Sequence, residues 1–350
     1  MRKFKGSGVF IISLIVLVIA WSTAFGFDKI KFAVIADTHM DLYGVNEMKM
    51  GAASCEIVRK TVEELNTIPD LDFVLIVGDL LLDGEPYNLD LFKTYIDNLR
   101  VPYYVVMGNH DWAPAAKTRK ESYVGVSRAT FIWTFQGHGY NGPNPWWSAE
   151  VAPGVKVIGL DACVPGRWGG VIPETELRWL DRELGASTGD LVIICLHHNL
   201  VRWSKDEEPG GKFAQFCVDN DEEVRKIIEK HFPTAQIVIS GHRHIGLRYK
   251  TINGVHYFVC PAAVSYPNQY TIFEVTPERV TAKAHWVPIS KAIIDTAKMN
   301  LIGKPGEWWR PSDCPKTPEG DKKMLEFFEG PYLTKPVSLP LVPVAEKLYK

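Results

Sequence analysis

Short apolar runs that alternate with helical patterns constrain the fold of this chain more than any other feature. The runs have the length and the β-branched composition of buried strands. They are Ile30–Ala36, Phe73–Val77, Tyr103–Met107, Val155–Leu160, Leu191–Leu196 and Ile237–Ser240. Amphipathic helical patterns lie near Glu47–Leu65, Leu89–Leu99, Pro173–Leu184 and Glu222–His231. This alternation is typical of βα units and predicts an α/β fold.

The pattern changes in the last third of the chain. Asn253-Gly254 separates the short apolar runs Leu247–Ile252 and Val255–Cys260, which predicts a β-hairpin. From residue 289 the chain is rich in proline, with short helical patterns near Ala292–Leu301 and Asp321–Phe328. We therefore predict one domain over residues 27–288 and a carboxyl-terminal tail over residues 289–350 that packs on it.

The first 26 residues have the pattern of a secretory signal peptide. Basic residues precede the apolar run Val9–Trp21, and the small-residue pattern Ala24-Phe25-Gly26 follows it. We predict cleavage after Gly26 and export to the periplasm or the medium. The alternative is an uncleaved membrane anchor at the amino terminus. No later apolar run is long enough to cross a bilayer, so we expect no membrane span in the mature chain.

Charge and cysteine content narrow the function only slightly. The formal net charge is −2, which gives no overall field to attract a nucleic-acid polymer. An anionic substrate must therefore be bound by a local group. The six cysteines could form disulfides in an exported protein. Cys195 and Cys260 lie in apolar runs where a free thiol acts as a small hydrophobe, and the sequence leaves both possibilities open.

Polar residues with metal-binding chemistry follow five of the six apolar runs. They occur as Asp37-Thr38-His39, Gly78-Asp79, Gly108-Asn109-His110-Asp111, His197-His198 and Gly241-His242-Arg243-His244. The carboxyl ends of strands in an α/β sheet share one edge, so these residues are expected to converge. Carboxylate and amide oxygens together with imidazole nitrogens suit Mn, Fe, Zn or Co. The sequence therefore predicts a site for two divalent metal ions.

The order and spacing of these five motifs resemble the calcineurin-like metallophosphoesterase family over residues 28–287. The family pattern is DxH, GDxxxxG, GNH(D/E), a lone or doubled histidine and GHxH, and every position of it is filled here. The resemblance implies a four-layer α/β/β/α sandwich with two mixed sheets. It also implies a metal site at the carboxyl ends of the strands.

The resemblance also implies a ligand set and a reaction. One metal ion would be bound by Asp37, His39 and His244, the other by Asn109, His197 and His242, and both by Asp79. In such two-metal sites a bridging hydroxide attacks phosphorus while the ions neutralise the phosphate oxygens. His110 would protonate the leaving oxygen or steady the phosphate, and Asp111 would orient His110 through a hydrogen bond.

Predictions for the substrate contacts rest on proximity to these motifs. His198, Arg167 and Arg202 are predicted to contact substrate, although His198 could instead support a ligand. Trp168, next to Arg167, is also predicted to contact substrate. Arg243 is expected to face solvent or to pair with Asp83. The aromatic-rich segment 112–147 could line a pocket for an apolar leaving group, but we favour a subsidiary core.

These observations predict an exported, dinuclear metal-dependent phosphoesterase that hydrolyses small phosphate esters. The doubled histidine at 197–198 favours diesters over monoesters. Two alternatives stay open from the sequence. One is a phosphomonoester phosphatase, and the other is a non-catalytic surface binding module that retains the fold.

Overall fold

The computed structural model describes residues 27–112 and 124–344, which form twelve strands and seven α-helices within those ranges. The strands are β1 (Ile30–Ile35), β2 (Phe73–Val77), β3 (Tyr103–Val106), β4 (Trp147–Ala152), β5 (Val155–Gly159), β6 (Leu191–Cys195), β7 (Ala235–Ser240), β8 (Arg248–Ile252), β9 (Val255–Val259), β10 (Gln269–Thr276), β11 (Arg279–Trp286) and β12 (Val337–Pro340). The helices are α1 (Ser54–Leu65), α2 (Pro86–Ile96), α3 (Arg128–Thr134), α4 (Glu174–Ala186), α5 (Asp221–Lys230), α6 (Lys291–Ile302) and α7 (Pro318–Glu329).

The strands form two six-stranded mixed sheets, as predicted. The first has the order β12-β11-β10-β1-β2-β3, in which β1, β2 and β3 run parallel. The second has the order β4-β5-β6-β7-β9-β8, with a parallel centre from β5 to β9. In both sheets the parallel strands carry the predicted metal-binding motifs. Their carboxyl ends therefore bring residues from distant parts of the chain to one place.

The two sheets pack face to face and bury a row of phenylalanine rings. Phe32 stacks between Phe73 and Phe273 with ring centroids 4.8 and 5.1 Å away. Phe273 in the first sheet meets Phe258 in the second edge to face at 5.2 Å. Helices α1 and α2 pack on the core shared with the first sheet, and α4 and α5 pack on the second. The predicted four-layer sandwich is confirmed.

One predicted boundary is wrong in a way that matters for the site. The helical pattern over 47–65 begins as a helix only near Ser54, after a 3₁₀ turn at Gly51–Ala53. Residues before it are extended because the amide of Met50 donates to the carbonyl of Val264 at 2.8 Å. This pairing directs Lys49 towards the strand ends instead of placing it on a helix surface.

The carboxyl-terminal tail adds ordered elements to the domain. Both predicted helices are present as α6 and α7, and a 3₁₀ helix at Lys304–Trp309 lies between them. Strand β12 pairs antiparallel with β11 at the edge of the first sheet. The boundary between residues 288 and 289 stays a prediction.

Two features concern the predicted leader and the cysteines. Residues 1–26 lie outside the described part of the chain, so the structure does not bear on the signal peptide. Within the described residues no helix is long and apolar enough to cross a membrane. All six cysteines lie at described positions, and all have free thiols.

Candidate active site

The predicted metal ligands lie together at the carboxyl ends of five strands. They follow β1 (Asp37, His39), β2 (Asp79), β3 (Asn109), β6 (His197) and β7 (His242, His244). All seven are buried, with at most 4% of their surface exposed. The order of the strands in the two sheets thus gathers residues separated by up to 207 positions.

The backbone at this site is held in an unusual conformation. Five of the seven predicted ligands have positive φ angles, namely Asp37 (51°), His39 (36°), Asp79 (52°), His242 (68°) and His244 (53°). This left-handed region is unfavourable for residues with a Cβ atom, and such residues cluster at functional sites. The amide of Asp37 donates to the carbonyl of Gly78 at 3.1 Å, and that of His39 donates to the carbonyl of Asp79 at 2.9 Å. These bonds connect the loops after β1 and β2.

Close packing of two loops explains why glycine occurs at position 241 of the last motif. A Cβ atom on Gly241 would lie 2.7 Å from Asp37 Oδ2. The backbone amide of His242 donates to both carboxylate oxygens of Asp37, at 3.1 and 2.9 Å. A residue larger than glycine at 241 would separate the loop after β7 from the loop after β1.

Asp37, His39 and His244 form one cluster of possible metal ligands. The Nε2 atoms of His39 and His244 are 3.1 Å apart, and His244 Nε2 is 3.3 Å from Asp37 Oδ1. The opposite ring nitrogen of His244, Nδ1, lies 2.7 Å from Ser265 Oγ. This second contact fixes the ring orientation, as is usual for metal-binding histidines.

Asp79, His197 and His242 form a second cluster. His197 Nδ1 donates to the carbonyl of Val77 at 2.9 Å, which leaves Nε2 as the free ligand atom. His197 Nε2 is 3.0 Å from His242 Nδ1 and 3.2 Å from Asp79 Oδ2. Asp79 Oδ2 is also 3.3 Å from His39 Nε2, so this oxygen lies between the two clusters.

Unpartnered buried atoms indicate that cations belong here. Neither side-chain atom of Asn109 has a hydrogen-bond partner, and nor does His242 Nε2. A buried polar atom without a hydrogen-bond partner lowers the stability of the fold. Carboxylates and imidazoles whose lone pairs point at one another also lower it, because the lone pairs repel. The cluster of histidines and aspartates is compatible with a binuclear metal site, because bound cations would compensate both costs.

Burial and mutual charge shift the pKa values of these groups strongly. Burial lowers the pKa of His39, His242 and His244 well below the usual range. Burial also raises the pKa of Asp37 to about 7. Burial alone would raise the pKa of Asp79, but the charges of His197, His110 and His39 keep it well below its usual value. Burial alone would lower the pKa of His197, but Asp79 and Asp37 raise it to about 9.

His110 lines the cavity at the cluster, but Asp111 does not orient it as predicted. Both carboxylate oxygens of Asp111 accept hydrogen bonds from backbone amides, those of Leu80, Leu81 and Gly108, at 2.6 to 3.0 Å. His110 Nδ1 instead lies 2.5 Å from the carbonyl oxygen of Leu82 and 3.4 Å from Asp83 Oδ1. Asp111 therefore shapes the loops after β2 and β3, because it satisfies amides that the sharp turns leave unpaired.

The three predicted substrate contacts are directed elsewhere. Arg167 pairs with Asp219 at 2.6 Å, and Arg202 forms two hydrogen bonds with Asp221 at 3.0 and 3.1 Å. Neither arginine lines the cavity at the cluster. His198 is fully buried, and its Nε2 donates to the carbonyl of Trp168 at 3.0 Å. Its alternative role, support of the neighbouring ligands, agrees with its ring contact to His242 at 4.5 Å.

Arg243 is also placed differently from the prediction. Its side chain is fully buried, and Nε pairs with Glu207 Oε1 at 2.8 Å. The guanidinium lies over four phenylalanine rings at 4.6 to 6.0 Å, those of Phe213, Phe216, Phe327 and Phe328. Burial among aromatic faces is favourable for arginine because its charge is delocalised and weakly hydrated.

Lys49 is a site residue that the sequence pattern did not reveal. Its Nζ lies 3.1 Å from His39 Nδ1, and its side chain lines the cavity at the cluster. Burial lowers the pKa of Lys49, although the charges of Asp79 and Asp37 oppose that shift. No periodic signal marked this residue, because its position depends on the extended pairing that precedes α1.

The cavity at the cluster has a volume of about 280 Å³ and one aromatic side. Trp168, Phe216, Trp308 and Trp309 line that side, while Asp79, Asn109, His110, His242, His244 and Lys49 line the other. Among residues 112 and 124–147, which the structure describes, no aromatic residue lines it. In this segment Phe131, Phe135, Tyr140 and Trp147 are buried together as part of the main hydrophobic core. They therefore have the packing role that we favoured, but they do not form a separate subsidiary core.

Comparison with known families decides the class of this site. The model of the calcineurin-like phosphoesterase family matches residues 30–246, which include all the predicted ligands. The chain belongs to the calcineurin-like phosphoesterase family. This phosphoesterase is accordingly a hydrolase of phosphoester bonds, and the hypothesis of a binding module that merely retains the fold is not supported.

Similar proteins agree with this assignment. A 3′,5′-cyclic-nucleotide phosphodiesterase of Nostoc sp. is 27% identical over 253 residues, covering 71% of this chain and 84% of the relative. A 3′,5′-cyclic adenosine monophosphate phosphodiesterase of Escherichia coli is 25% identical over 224 residues, covering 62% and 70%. The solved structure of a dimetal phosphatase from Danio rerio has a TM-score of 0.57 at 18% identity, covering 74% of this chain and 96% of that one. The last similarity concerns the fold alone.

The pKa shifts predict that metal binding releases protons. His197 must be neutral to act as a ligand, yet its pKa of about 9 keeps it protonated at pH 7 in the metal-free protein. We expect the affinity for Mn²⁺ to fall about tenfold per pH unit from pH 9 to 7. The fall should steepen below pH 7, where Asp37 also becomes protonated. Isothermal titration calorimetry in buffers of different ionisation enthalpy measures the protons released.

The matched control is His231→Gln, which changes a histidine that pairs with Asp181 away from the cluster. This variant should release as many protons as the unchanged protein. An affinity that is constant between pH 6 and 9 would contradict the prediction.

Proposed function

We propose that this phosphoesterase is an exported phosphodiesterase that hydrolyses small phosphate diesters at a two-metal centre. The ions would be bound as the resemblance implies, by Asp37, His39 and His244 on one side and by Asn109, His197 and His242 on the other, with Asp79 shared. Both relatives that were compared by sequence are phosphodiesterases by name, which supports the diester preference.

The observation that carries this proposal is a pair of cavities that meet at the cluster. The first is the aromatic-sided cavity of about 280 Å³. The second, of about 440 Å³, lies beside residues 41–51 and shares Lys49, His110 and Trp309 with the first. A monoester has one ester group to accommodate, whereas a diester has two. Two adjoining cavities that share the lining residues Lys49, His110 and Trp309 therefore favour a diester.

The residues around the metal centre would have different roles in the hydrolysis. Divalent ions bound there would supply positive charge to the phosphate oxygens and lower the pKa of the attacking water. Lys49 lines the same cavity and would bind the phosphate as a point charge. His110 keeps Nδ1 bonded to the carbonyl of Leu82, which leaves Nε2 to give a proton to the leaving oxygen. Asp83, 3.4 Å from Nδ1, would stabilise the protonated ring.

The direct test is hydrolysis of bis-p-nitrophenyl phosphate and p-nitrophenyl phosphate by the purified protein with Mn²⁺. We expect metal-dependent turnover of both, with a higher kcat/KM for the diester. Asp79→Asn should remove most activity and metal binding, because it weakens the one carboxylate shared by both clusters. His231→Gln serves again as the control that should keep both.

Two results would count against the proposal. A clear preference for the monoester would favour the alternative of a phosphomonoester phosphatase. Absence of turnover of either ester by protein with bound metal would contradict phosphoesterase activity on small substrates.

The role of His110 can be tested through the leaving group. We expect His110→Ala to lower kcat/KM about 10²–10⁴-fold for a 3′,5′-cyclic nucleotide, whose alkoxide needs a proton on departure. The loss should be far smaller for bis-p-nitrophenyl phosphate, because p-nitrophenolate leaves without protonation. Asp83→Asn should reproduce part of this selective loss. Equal losses for both substrates would show instead that His110 only steadies the phosphate.

Export can be tested by the amino terminus of the mature protein. Residues 1–26 carry the signal-peptide pattern described above. We expect protein made in a bacterial host with an export pathway to begin at Phe27 and to fractionate with the periplasm or the medium. Intact protein that begins at Met1 and sediments with membranes would support the alternative of an anchored enzyme.

A further inference from the structure

Three tryptophans form a wall beside the metal cluster, and two of them come from the tail. Trp308 and Trp309 end the 3₁₀ helix at Lys304–Trp309, and Trp168 lies in the loop between β5 and α4. The rings of Trp168 and Trp308 meet edge to face at 5.4 Å, and those of Trp308 and Trp309 at 4.9 Å. Trp309 also lies 5.1 Å from the ring of His244. The wall is therefore continuous with the predicted ligands.

Hydrogen bonds hold the segment that bears Trp308 and Trp309 against the domain. Arg310 Nη2 donates to Asp321 Oδ1 at 2.5 Å and to the carbonyl of Ile302 at 3.0 Å. Lys212 Nζ donates to the carbonyl of Arg310 at 3.1 Å, and the amide of Ser312 donates to Asp206 at 2.7 Å. The tryptophans are thus positioned by bonds from the residues that directly follow them, as a binding surface requires.

The chemistry of the wall selects the kind of group that it would bind. About 40% of the surface of Trp168 and of Trp308 is exposed, although such large apolar rings are normally buried. Asp79, shared by the two clusters, is the single carboxylate among the described residues that line this cavity. Lys49 and the bound ions would repel a cationic group. A flat, neutral aromatic group, which stacks on an exposed ring face, fits the wall best.

We propose that Trp168, Trp308 and Trp309 form a subsite that stacks a nucleobase of the substrate beside the metal centre. The inference rests on the proposed phosphodiesterase function and makes it more specific, since the substrate would be a nucleotide diester. It also gives the tail a role in specificity. Residues 304–309 lie outside the range that the family model matches, so family membership does not imply this subsite.

The test compares two diesters that break the same bond and differ only in the base. One is adenosine 3′,5′-cyclic monophosphate, and the other is 1-deoxyribose 3′,5′-cyclic phosphate, which lacks a base. We expect the unchanged enzyme to prefer the first by at least about tenfold in kcat/KM, as stacking of one base on an aromatic ring provides. Trp308→Ala should reduce this preference to below about threefold, and most of the change should be in KM.

Matched variants separate a binding role from a structural one. Trp308→Phe keeps an aromatic face and should restore most of the preference. Trp133→Ala removes a tryptophan on α3 that is 79% exposed and away from the wall, and should change nothing. The base-free diester should be hydrolysed equally well by Trp308→Ala and the unchanged enzyme. An equal loss for both diesters would overturn the proposal, because it would mark Trp308 as a purely structural residue.

A binding measurement adds a readout that does not depend on turnover. Adenosine 5′-monophosphate should quench the tryptophan fluorescence of the metal-free protein, and Trp308→Ala should bind it at least about fivefold more weakly. No preference for the base with intact turnover of bis-p-nitrophenyl phosphate would overturn the subsite alone. A preference for a phosphocholine diester over both cyclic phosphates would overturn it in favour of a cationic ligand. Failure to hydrolyse any diester would overturn the proposed function itself.

Discussion

The carboxylate of Asp79 is the interaction on which the rest of the site depends. Oδ1 accepts a hydrogen bond from the amide of His110 at 2.9 Å, and Oδ2 lies within 3.3 Å of His39 and His197. The carbonyl of Asp79 accepts from the amide of His39. One residue thus joins the loops after β1, β2, β3 and β6. Such a buried charge is tolerated only where opposite charge surrounds it, and metal ions would supply that charge.

Most of this site could be predicted because its residues occur at the ends of strands. Apolar runs are local signals, and the carboxyl edge of an α/β sheet follows from topology. The seven predicted ligands therefore meet in the structure although they derive from five separate motifs. The same reasoning placed His110 at the centre. The predicted partner of His110 is wrong, because the carboxylate of Asp111 accepts hydrogen bonds from backbone amides instead.

The residues that sequence reasoning missed are positioned by contacts between distant segments. Lys49 reaches the cluster because residues 49 and 50 pair with Val264 and Ser265 instead of forming a helix. Arg167 and Arg202 pair with the carboxylates of Asp219 and Asp221, which lie 52 and 19 positions further along the chain. Both arginines are therefore held away from the cavity. No pattern of charge or hydrophobicity within a short window encodes such pairings. The adjacent pair Trp308-Trp309 in a polar, proline-rich segment was the one local signal of a missed site residue.

The pairing of β1 with β10 has a consequence for the order in which this molecule can form. Ile30 lies opposite Val275, so the centre of the first sheet joins residues 245 positions apart. Its edge is completed only when β12 pairs with β11. Contacts of such long range close slowly, because the entropy of a large loop must be lost first. A ribosome must therefore have synthesised nearly the whole polypeptide before the sheet that carries Asp37 and Asp79 can assemble.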